Sequence, residues 1–174
     1  AASDVYKRQN DRSIVTDLAN SNGGTYSSYT TLGYGTNSTL YGPASRVGYN
    51  VSNPTPTLKC QNTKDKFTVD TSNGNGALTY PVGLITVDEM AYAGGVYGSS
   101  NKTFYLYTGQ TYWALSPFHF SGSNAYEFIL DSLGYLSNTH VVGSMGVRPS
   151  VSLKPGIGYS SGSGTASSPF VVNG

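Results

Sequence analysis

The sequence predicts an α+β domain whose second half is rich in strands and whose helices are short and few. Three observations predict this class. Apolar and polar residues alternate in short runs from residue 104 onward, one strong helix-capping pattern stands at residues 86–89, and Gly, Ser and Asn crowd residues 10–75. Alternation with period two is typical of half-buried strands, whereas a capping box marks the start of a helix. Long irregular loops are expected around such a core.

The first nine residues are interpreted separately from the rest. The stretch "DVYKRQ" at residues 4–9 resembles one reading frame of the mosaic-end adapter used in transposase-based sequencing libraries. We interpret residues 1–9 as an adapter-derived scar on a fragment of metagenomic origin. Without them the chain has eight cations and eight anions, so its charge does not favour nucleic acid as a partner. The alternative is a basic, disordered arm that contacts nucleic acid.

The remaining residues 10–174 have the composition of a single extracellular domain. Charged residues are only 11% of the chain, against roughly 25% in ordinary soluble domains. Ser, Thr, Asn, Gly and the 15 Tyr must therefore supply the polar surface. The same residue types fill antibody binding loops, where Tyr gives rigid contact area and Ser, Gly and Asn give adaptable hydrogen bonds. The composition therefore favours a binding function.

Residues 10–75 are predicted to form a loop-rich N-terminal half. A short helix is expected at residues 13–19, and long surface loops follow it. The stretch "KFTVDTSNGNGALTY" at residues 66–80 predicts a strand, a Gly/Asn turn and a second short strand. Its centre, "DTSNGNG", faintly resembles an oxygen-rich calcium loop, but it lacks the terminal Glu, and turn formation explains it better.

The strongest local pattern is "GLITVDEMAYAGG". Thr86 and Glu89 have the spacing of a capping box, and the closing Gly pair stops the helix, which predicts a helix over residues 87–93. Asp88 and Glu89 fall in its first turn, where the helix dipole favours anions. An acid/base pair formed by these two carboxylates is the alternative interpretation, although capping explains both residues without it.

Strand signals dominate residues 76–155, which are the expected core. "TFYLYTG" predicts one strand from its alternation, and "YWALSP" predicts a second that ends at Pro117. "AYEFIL", the turn "DSLG" and "YLSNTHVV" predict a hairpin, and "GVRPSVSLK" predicts the last core strand. Residues 156–174 are expected to be a flexible Gly/Ser-rich segment followed by a closing strand, "PFVV".

Four of these motifs occur in a familiar order: the capped helix, the Trp-x-x-Ser-Pro segment at residues 113–117, the hairpin, and "GVRP" at residues 146–149. Together they resemble a family of bacterial surface-protein domains with the C-type-lectin-like fold, over about residues 76–155. The wider fold group includes formylglycine-generating enzymes and variable proteins diversified by retroelements. Relatives often carry a prepilin-like N-terminal segment.

The resemblance implies a display scaffold, in which a stable core presents a binding face between Trp113 and Met145. The partner would be a protein or glycan at a cell surface, and the domain would be extracellular or anchored to the surface of a bacterium. The implied contact residues are Phe118, His119, Phe120, Ser123, Asn124, Tyr126, Tyr135, Asn138, His140 and Ser144.

Two other residues of this region are predicted to be structural. Trp113, the only Trp, is expected to anchor the core, because large aromatic side chains dominate core burial. Arg148 is expected to pair with Asp131 or Glu127, or to donate hydrogen bonds to loop carbonyls. A role in ligand binding is the alternative for both residues.

Metal binding and catalysis have little support in the sequence. His119 and His140 are the only histidines, whereas zinc needs three or four ligands. The Pro-centred and Trp-Asn-Asp triplets of calcium-binding C-type lectins do not occur. "GSMG" at residues 143–146 is one residue shorter than a nucleophile elbow, and Ser116 has no patterned base. We therefore predict a non-catalytic domain without metal or cofactor, with an enzyme built on the same scaffold as an alternative.

The single cysteine, Cys60, is either a reactive thiol or a thiol whose partner is missing. Because the scar would end immediately before Asn10, we predict a native Cys at or just upstream of position 9, bonded to Cys60, and the resemblance implies the same Cys. Such a bridge closes a loop of roughly fifty residues, which adds about 4 kcal/mol of stability on the chain-entropy model. In this fragment Cys60 is expected to be free.

Two hypotheses about function therefore stand beside the enzyme. The first is a recognition domain that binds through its aromatic and polar loops. The second is a pilin-like structural subunit whose Tyr-rich surface packs against copies of itself, assembled through an N-terminal segment that this fragment would have lost.

Overall fold

The computed structural model describes residues 38–49, 51–59, 79, 82–121, 123–151, 153, 156–165 and 167–173. Several predictions from the sequence lie outside these residues: the adapter-derived scar, the short helix at 13–19, nearly all of the paired strands at 66–80, and the pairing of Cys60.

The described residues form an α+β domain that is rich in strands and has few, short helices. Four antiparallel strands in the order β1-β3-β4-β5 form a central sheet, and β2-β6 and β7-β8 form two separate two-stranded ladders. In chain order the elements are β1 (Ser38–Leu40), α1 (Gly42–Arg46), β2 (Gly83–Leu84), α2 (Val87–Tyr92), β3 (Tyr112–Ser121), β4 (Asn124–Leu130), β5 (Leu136–His140), β6 (Pro149–Ser150), β7 (Tyr159–Ser161) and β8 (Val171–Val172).

The predicted hairpin is confirmed as β4 and β5. Leu130 pairs with Leu136, and Asp131 closes the turn by accepting the N–H groups of Leu133 and Tyr135 on one carboxylate oxygen, each at 2.9 Å. Gly134 adopts φ +88°, and an added Cβ there would lie 2.7 Å from a backbone oxygen of the neighbouring loop. The turn therefore needs the glycine that the sequence supplies.

β3 is longer than predicted, because it continues past Pro117 to Ser121. The register with β4 shifts on both sides of Pro117, so that Pro117 pairs with Glu127 while His119 pairs with Tyr126. A proline cannot donate to a strand ladder, and a β-bulge accommodates that loss without ending the strand. The proline therefore bends β3 instead of terminating it.

The strand predicted for "TFYLYTG" is wrong, because residues 103–109 form turns. The amide of Tyr107 bonds the carbonyl of Phe104 at 3.0 Å, as a turn does. Phe104 is buried while Tyr105 is 80% exposed, so the alternation in the sequence is a real alternation of burial. A turn laid over the core produces that pattern as well as a strand does.

Helix α2 confirms the predicted capping box. Thr86 Oγ1 accepts the amide of Glu89 at 3.2 Å, and a Glu89 carboxylate oxygen accepts the amide of Thr86 at 2.7 Å. The helix ends at Tyr92, one residue before the predicted end, and Gly94 follows with φ +110°. The capping box thus satisfies these two amides from within residues 86–89, which is why the sequence pattern was sufficient.

The core lies between one face of the central sheet, here called the core face, and the two helices. Trp113 is half-buried and is not among the buried core residues described, which corrects the prediction that it anchors the core. It pairs with Ile129 on the outer face of the sheet, while its neighbour Tyr112 points inward. The buried cluster consists of Leu40, Ala44, Val47, Val87, Met90, Phe104, Leu106, Tyr112, Ala114, Phe118, Phe128, Leu130 and Leu136.

The C-terminal segment predicted to be flexible forms a small ladder instead, in which β7 pairs with β8. β8 is the predicted closing strand. We call described residues 156–173 the C-terminal ribbon. Its large apolar side chains are all exposed: Ile157, Tyr159, Phe170, Val171 and Val172.

Candidate functional site

The ten predicted contact residues do not share one surface. One group forms a row of rings on the core face of β3, β4 and β5, a second lies in the loops beside that row, and the remaining residues lie elsewhere. The row contains His119, Tyr126 and His140; the loops contain Ser123, Asn124 and Ser144; Phe118, Phe120, Asn138 and Tyr135 take other positions.

The three rings of the row, here called the aromatic row, are direct cross-strand neighbours. His119 on β3 pairs with Tyr126 on β4, which pairs with His140 on β5. The ring centroids of His119 and Tyr126 are 4.0 Å apart at an interplanar angle of 17°, and those of Tyr126 and His140 are 4.2 Å apart at 59°. Directly opposed residues share a face of the sheet, so the register alone brings these rings together.

The aromatic row runs from the interior to the surface. His119 is 8% exposed, whereas Tyr126 and His140 are half-buried. Burial, and to a smaller extent the neighbouring His140, lowers the pKa of His119 to about 4. His119 is therefore uncharged near neutral pH, and it contacts Tyr126 as a neutral aromatic ring.

Exposed polar residues surround this end of the sheet, which we call the loop end. Ser123 and Asn124 lie in and beside the turn between β3 and β4, and both are exposed. After β5 the chain turns back, with the amide of Val141 on the carbonyl of Ala125 at 3.1 Å, and Ser144 is exposed there. Six predicted residues are thus gathered at the loop end.

Phe118 is a correction to the predicted contact set, because it is 1% exposed. Its ring lies 4.8 Å from that of Tyr49 and 5.0 Å from that of Phe128, both in edge-to-face geometry. The bulge at Pro117 directs Phe118 and His119 toward the same side of the sheet. Phe118 therefore packs the core beneath the row.

Phe120 and Asn138 are not part of the aromatic row. Phe120 pairs with Ala125, one step from Tyr126 along β4, so its side chain lies on the outer face of the sheet. Asn138 is on the core face, where its amide donates to the hydroxyl of Tyr97 at 2.9 Å. Asn138 therefore supports the ring cluster beneath the row instead of presenting a free amide.

Tyr135 lies at the opposite end of the hairpin, in the turn between β4 and β5. Six residues separate Leu130 from Asn124 along β4, so the two ends are roughly 20 Å apart at about 3.3 Å per residue. Tyr135 cannot contact a small ligand that sits on the aromatic row.

The sequence interpretation missed the contributions of Tyr49, Tyr97 and Glu127. The two tyrosines join Phe118 and Phe128 in one ring cluster, and nothing distinguishes them from the other 13 Tyr in the sequence. Glu127 is half-buried on the outer face of β4, and burial raises its pKa to about 8. The alternating pattern of the strand that contains Glu127 was the only sequence feature that could have indicated its partial burial.

Arg148 does not pair with Asp131 or Glu127. One guanidinium nitrogen donates to the carbonyl of Leu106 at 2.8 Å and to the hydroxyl of Tyr112 at 3.3 Å. The alternative prediction, donation to a loop carbonyl, is therefore confirmed.

The preferred interpretation of this helix start, capping, is confirmed, and Asp88 and Glu89 both have structural partners. Asp88 is buried, and its two oxygens accept from the guanidinium of Arg46 at 2.9 and 2.8 Å and from the amide of Thr57 at 2.9 Å. Glu89 is engaged in the cap. Ser116 is buried and accepts the amide of Val87 at 3.0 Å. These side chains hold α1, α2 and β3 together.

Within the described ranges, no three His, Cys, Asp or Glu side chains stand close enough to hold a metal ion. None of the helices in that part of the chain is long and apolar enough to cross a membrane. The prediction of a domain without metal or cofactor stays a prediction.

Comparison with known proteins adds no relative. No family model matches the chain, and no curated protein or solved structure does.

Proposed function

We propose that the chain is a non-catalytic, extracellular recognition domain with the C-type-lectin-like fold, displayed on a bacterial surface. It binds a protein or glycan of a cell surface through the loop end of the central sheet. The α+β architecture, the short capped helix and the loop-rich composition support this proposal, together with the sequence resemblance. Loops held on a rigid scaffold are where binding residues concentrate.

The aromatic row is the observation that carries the proposal. His119 is fixed in the interior, and its stack with Tyr126 and His140 continues to the surface. Side chains that are already ordered lose little conformational entropy when a ligand binds. Tyr is also among the residues enriched at binding hot spots. The row therefore offers a preorganised edge for stacking, flanked by hydroxyl and amide groups.

The charge of the loop end predicts how binding responds to salt. His119 is neutral near pH 7, and Ser123, Asn124 and Ser144 carry no charge. Electrostatic steering needs charged patches on both partners. We therefore expect affinity at this site to change little between 50 and 500 mM NaCl, at about twofold or less.

The direct test uses an array of defined oligosaccharides and purified extracellular-matrix proteins. Tyr126→Ala should abolish binding to whichever component the wild-type domain retains, and its thermal unfolding shows how much of that loss is structural. Tyr135→Ala is the matched control, since it removes the same side chain at the far end of the hairpin. Equal losses for both variants, or no retained component, would contradict the proposal.

A pilin-like subunit remains the second candidate, because the C-terminal ribbon exposes its apolar side chains, with Tyr159 62% and Phe170 53% exposed. Such a surface is typical of an interface between copies. Light scattering of the purified domain over a range of concentrations separates the two. Mass that rises with concentration supports the subunit, and a constant monomer mass supports the recognition domain.

A further inference from the structure

Arg148 is held rigidly at the start of β3, at the opposite end of the sheet from the aromatic row. Its guanidinium carbon lies 5.1 Å from the centroid of the Tyr112 ring, and one of its nitrogens donates to the carbonyl of Leu106 and to the Tyr112 hydroxyl. The Tyr112 hydroxyl donates in turn to the same carbonyl at 2.8 Å. Burial raises the pKa of Tyr112, although its bond to Arg148 opposes the rise, so this hydroxyl keeps its proton.

The rest of the guanidinium is available to a ligand. Within the described part of the chain, Arg148 is not part of an ion pair; the pair found there joins Arg46 and Asp88. The hydrogen bonds of Arg148 all come from Nη1. The side chain is exposed, and the edge formed by Nε and Nη2 offers two parallel N–H donors. That edge matches the two oxygens of a carboxylate, which Arg binds in bidentate fashion.

An exposed aromatic residue adjoins, along the chain, the carbonyl that holds Arg148. Tyr105 directly precedes Leu106, whose carbonyl holds Arg148, and it is 80% exposed while its neighbours Phe104 and Leu106 are buried. The Tyr105 hydroxyl also contributes, as a smaller cause, to the raised pKa of Tyr112, which is consistent with its proximity to the Arg148 network. The turn is thus anchored by its buried apolar residues and leaves the Tyr105 ring exposed one residue from the carbonyl that Arg148 binds.

The surroundings indicate a small polar ligand. Along the turn around Tyr105 the exposed neighbours include Thr103, Thr108 and Gln110, which offer hydroxyl and amide groups, while Val147 beside Arg148 is an exposed apolar residue. A protein partner usually needs about 800 Å² on each side, with an apolar centre. One ring, one guanidinium and a few hydroxyl groups are instead the complement of a single sugar residue that carries a carboxylate.

We propose that Arg148 and Tyr105 form a binding site for an acidic sugar, a hexuronic acid, in which the guanidinium binds the carboxylate and the ring packs on the sugar. Tyr112, which Arg148 contacts, lies seven residues along β3 from His119, so the site is roughly 20 Å from the aromatic row and does not depend on it. A single shallow contact of this kind gives millimolar affinity, which repeated display on a surface would raise through avidity.

The test is an NMR titration of the purified domain, followed through the Nε–Hε signal of Arg148 and the backbone amides. Methyl glucuronide is the probe, methyl glucoside is the neutral control of the same shape, and acetate is the carboxylate without a sugar. We expect saturation by the glucuronide in the millimolar range, and binding at least tenfold weaker for the glucoside and for acetate. Raising NaCl from 20 to 300 mM should weaken binding of the glucuronide severalfold.

Substitutions test the contribution of each of the two side chains to binding. Tyr105→Ala should weaken binding threefold to tenfold, whereas Tyr105→Phe keeps the ring and should bind like the wild type. Arg148→Lys keeps the charge but loses the bidentate edge, and should weaken binding at least fivefold with the fold retained in its amide spectrum. Equal binding of glucuronide and glucoside, no saturation below 50 mM, or shifts confined to the loop end would overturn the proposal. Acetate binding as tightly as the glucuronide would overturn the assignment to a sugar.

Discussion

The central sheet and the C-terminal ribbon are both built from antiparallel strands, yet they use their apolar residues in opposite ways. Away from the loop end, the large inward side chains of β3, β4 and β5 are almost completely buried, as Phe128 and Leu130 show at 0% exposure. In the ribbon, Phe170 and Val171 are each about half exposed, at 53% and 52%. A strand pattern in a sequence therefore predicts the ladder but not what covers it. An isolated two-stranded ribbon is marginally stable in water, so the sheet must carry the stability of the domain.

The largest expected difference between the two regions comes from a matched pair of phenylalanines. Phe118→Ala removes a ring that is 1% exposed and should lower the free energy of unfolding by about 3–5 kcal/mol. Phe170→Ala removes the same ring from the ribbon and should cost below about 1 kcal/mol. Urea unfolding of both variants measures the difference. Similar losses would show that the ribbon is part of the cooperative core.

The ion pair between α1 and α2 tests whether the helices are coupled to the sheet. Asp88→Asn leaves the guanidinium of Arg46 without its carboxylate in a site where the two side chains are 4% and 15% exposed. We expect a loss of about 3 kcal/mol, since removing one partner of a buried ion pair is strongly destabilising. Hydrogen exchange should accelerate in α1, α2 and β3 but not in the ribbon. Faster exchange in β7 and β8 as well would contradict this separation.

The pH dependence of stability should also arise in the sheet. The folded pKa of Glu127 is about 8, above its ordinary 4.5, so the folded state holds a proton that the unfolded state releases, and stability falls as pH rises from 4.5 through 8. The folded pKa of His119 is about 4, below its ordinary 6.5, so its contribution rises with pH from 4 to 6.5. The two effects oppose each other between pH 4.5 and 6.5, and the net decline is expected above pH 6.5.

Glu127→Gln should remove that decline, which we expect to be about 2 kcal/mol between pH 6.5 and 8. Unfolding free energies of the wild type and the variant at several pH values provide the measurement. Described residues of the ribbon include no Asp, Glu, His, Lys or Arg, so removing the ribbon should leave the slope unchanged. A Gln variant with the wild-type slope would assign the decline to another group.

The smallest expected effects come from two threonines, one that caps helix α2 and one that stabilises a turn of the ribbon. Thr86→Ala removes the cap of α2, which holds the amide of Glu89, and should cost about 1 kcal/mol. Thr165→Ala removes a similar contact in the ribbon, where the hydroxyl oxygen accepts the amide of Ser168 at 3.1 Å, and should cost about 0.5 kcal/mol or less. Thermal unfolding of both variants compares them. A larger effect at Thr165 would give the ribbon a greater role than its exposure indicates.

The parts of the fold that the sequence predicted correctly are those decided by neighbouring residues. The capping box at Thr86 and Glu89 sets the start of α2, and the turn at Asp131 sets the register of β4 and β5. The length of β3 could not be predicted in the same way. A proline ends a strand or sits in a bulge according to its partner strand, which the local sequence does not contain.

The contact residues were predicted in part for the same reason. A resemblance gives positions along the chain, but the side chain's direction depends on strand pairing. Phe118, His119 and Phe120 are consecutive, yet they reach the core, the aromatic row and the outer face. Tyr135 belongs to the right hairpin but to its other end. The missing information was which strands pair and in which register, because that pairing joins residues that are far apart in sequence.

The bulge at Pro117 has a consequence for how this surface could change. Between Pro117 and His119 it places one extra residue on β3, and it thereby decides which side chain opposes Tyr126: the imidazole of His119 now, and the phenyl ring of Phe118 if the bulge were lost. Loss of the bulge would also turn His119 to the outer face, without any substitution. The chemistry offered to a ligand is therefore encoded in the register of a strand as much as in the identity of its residues.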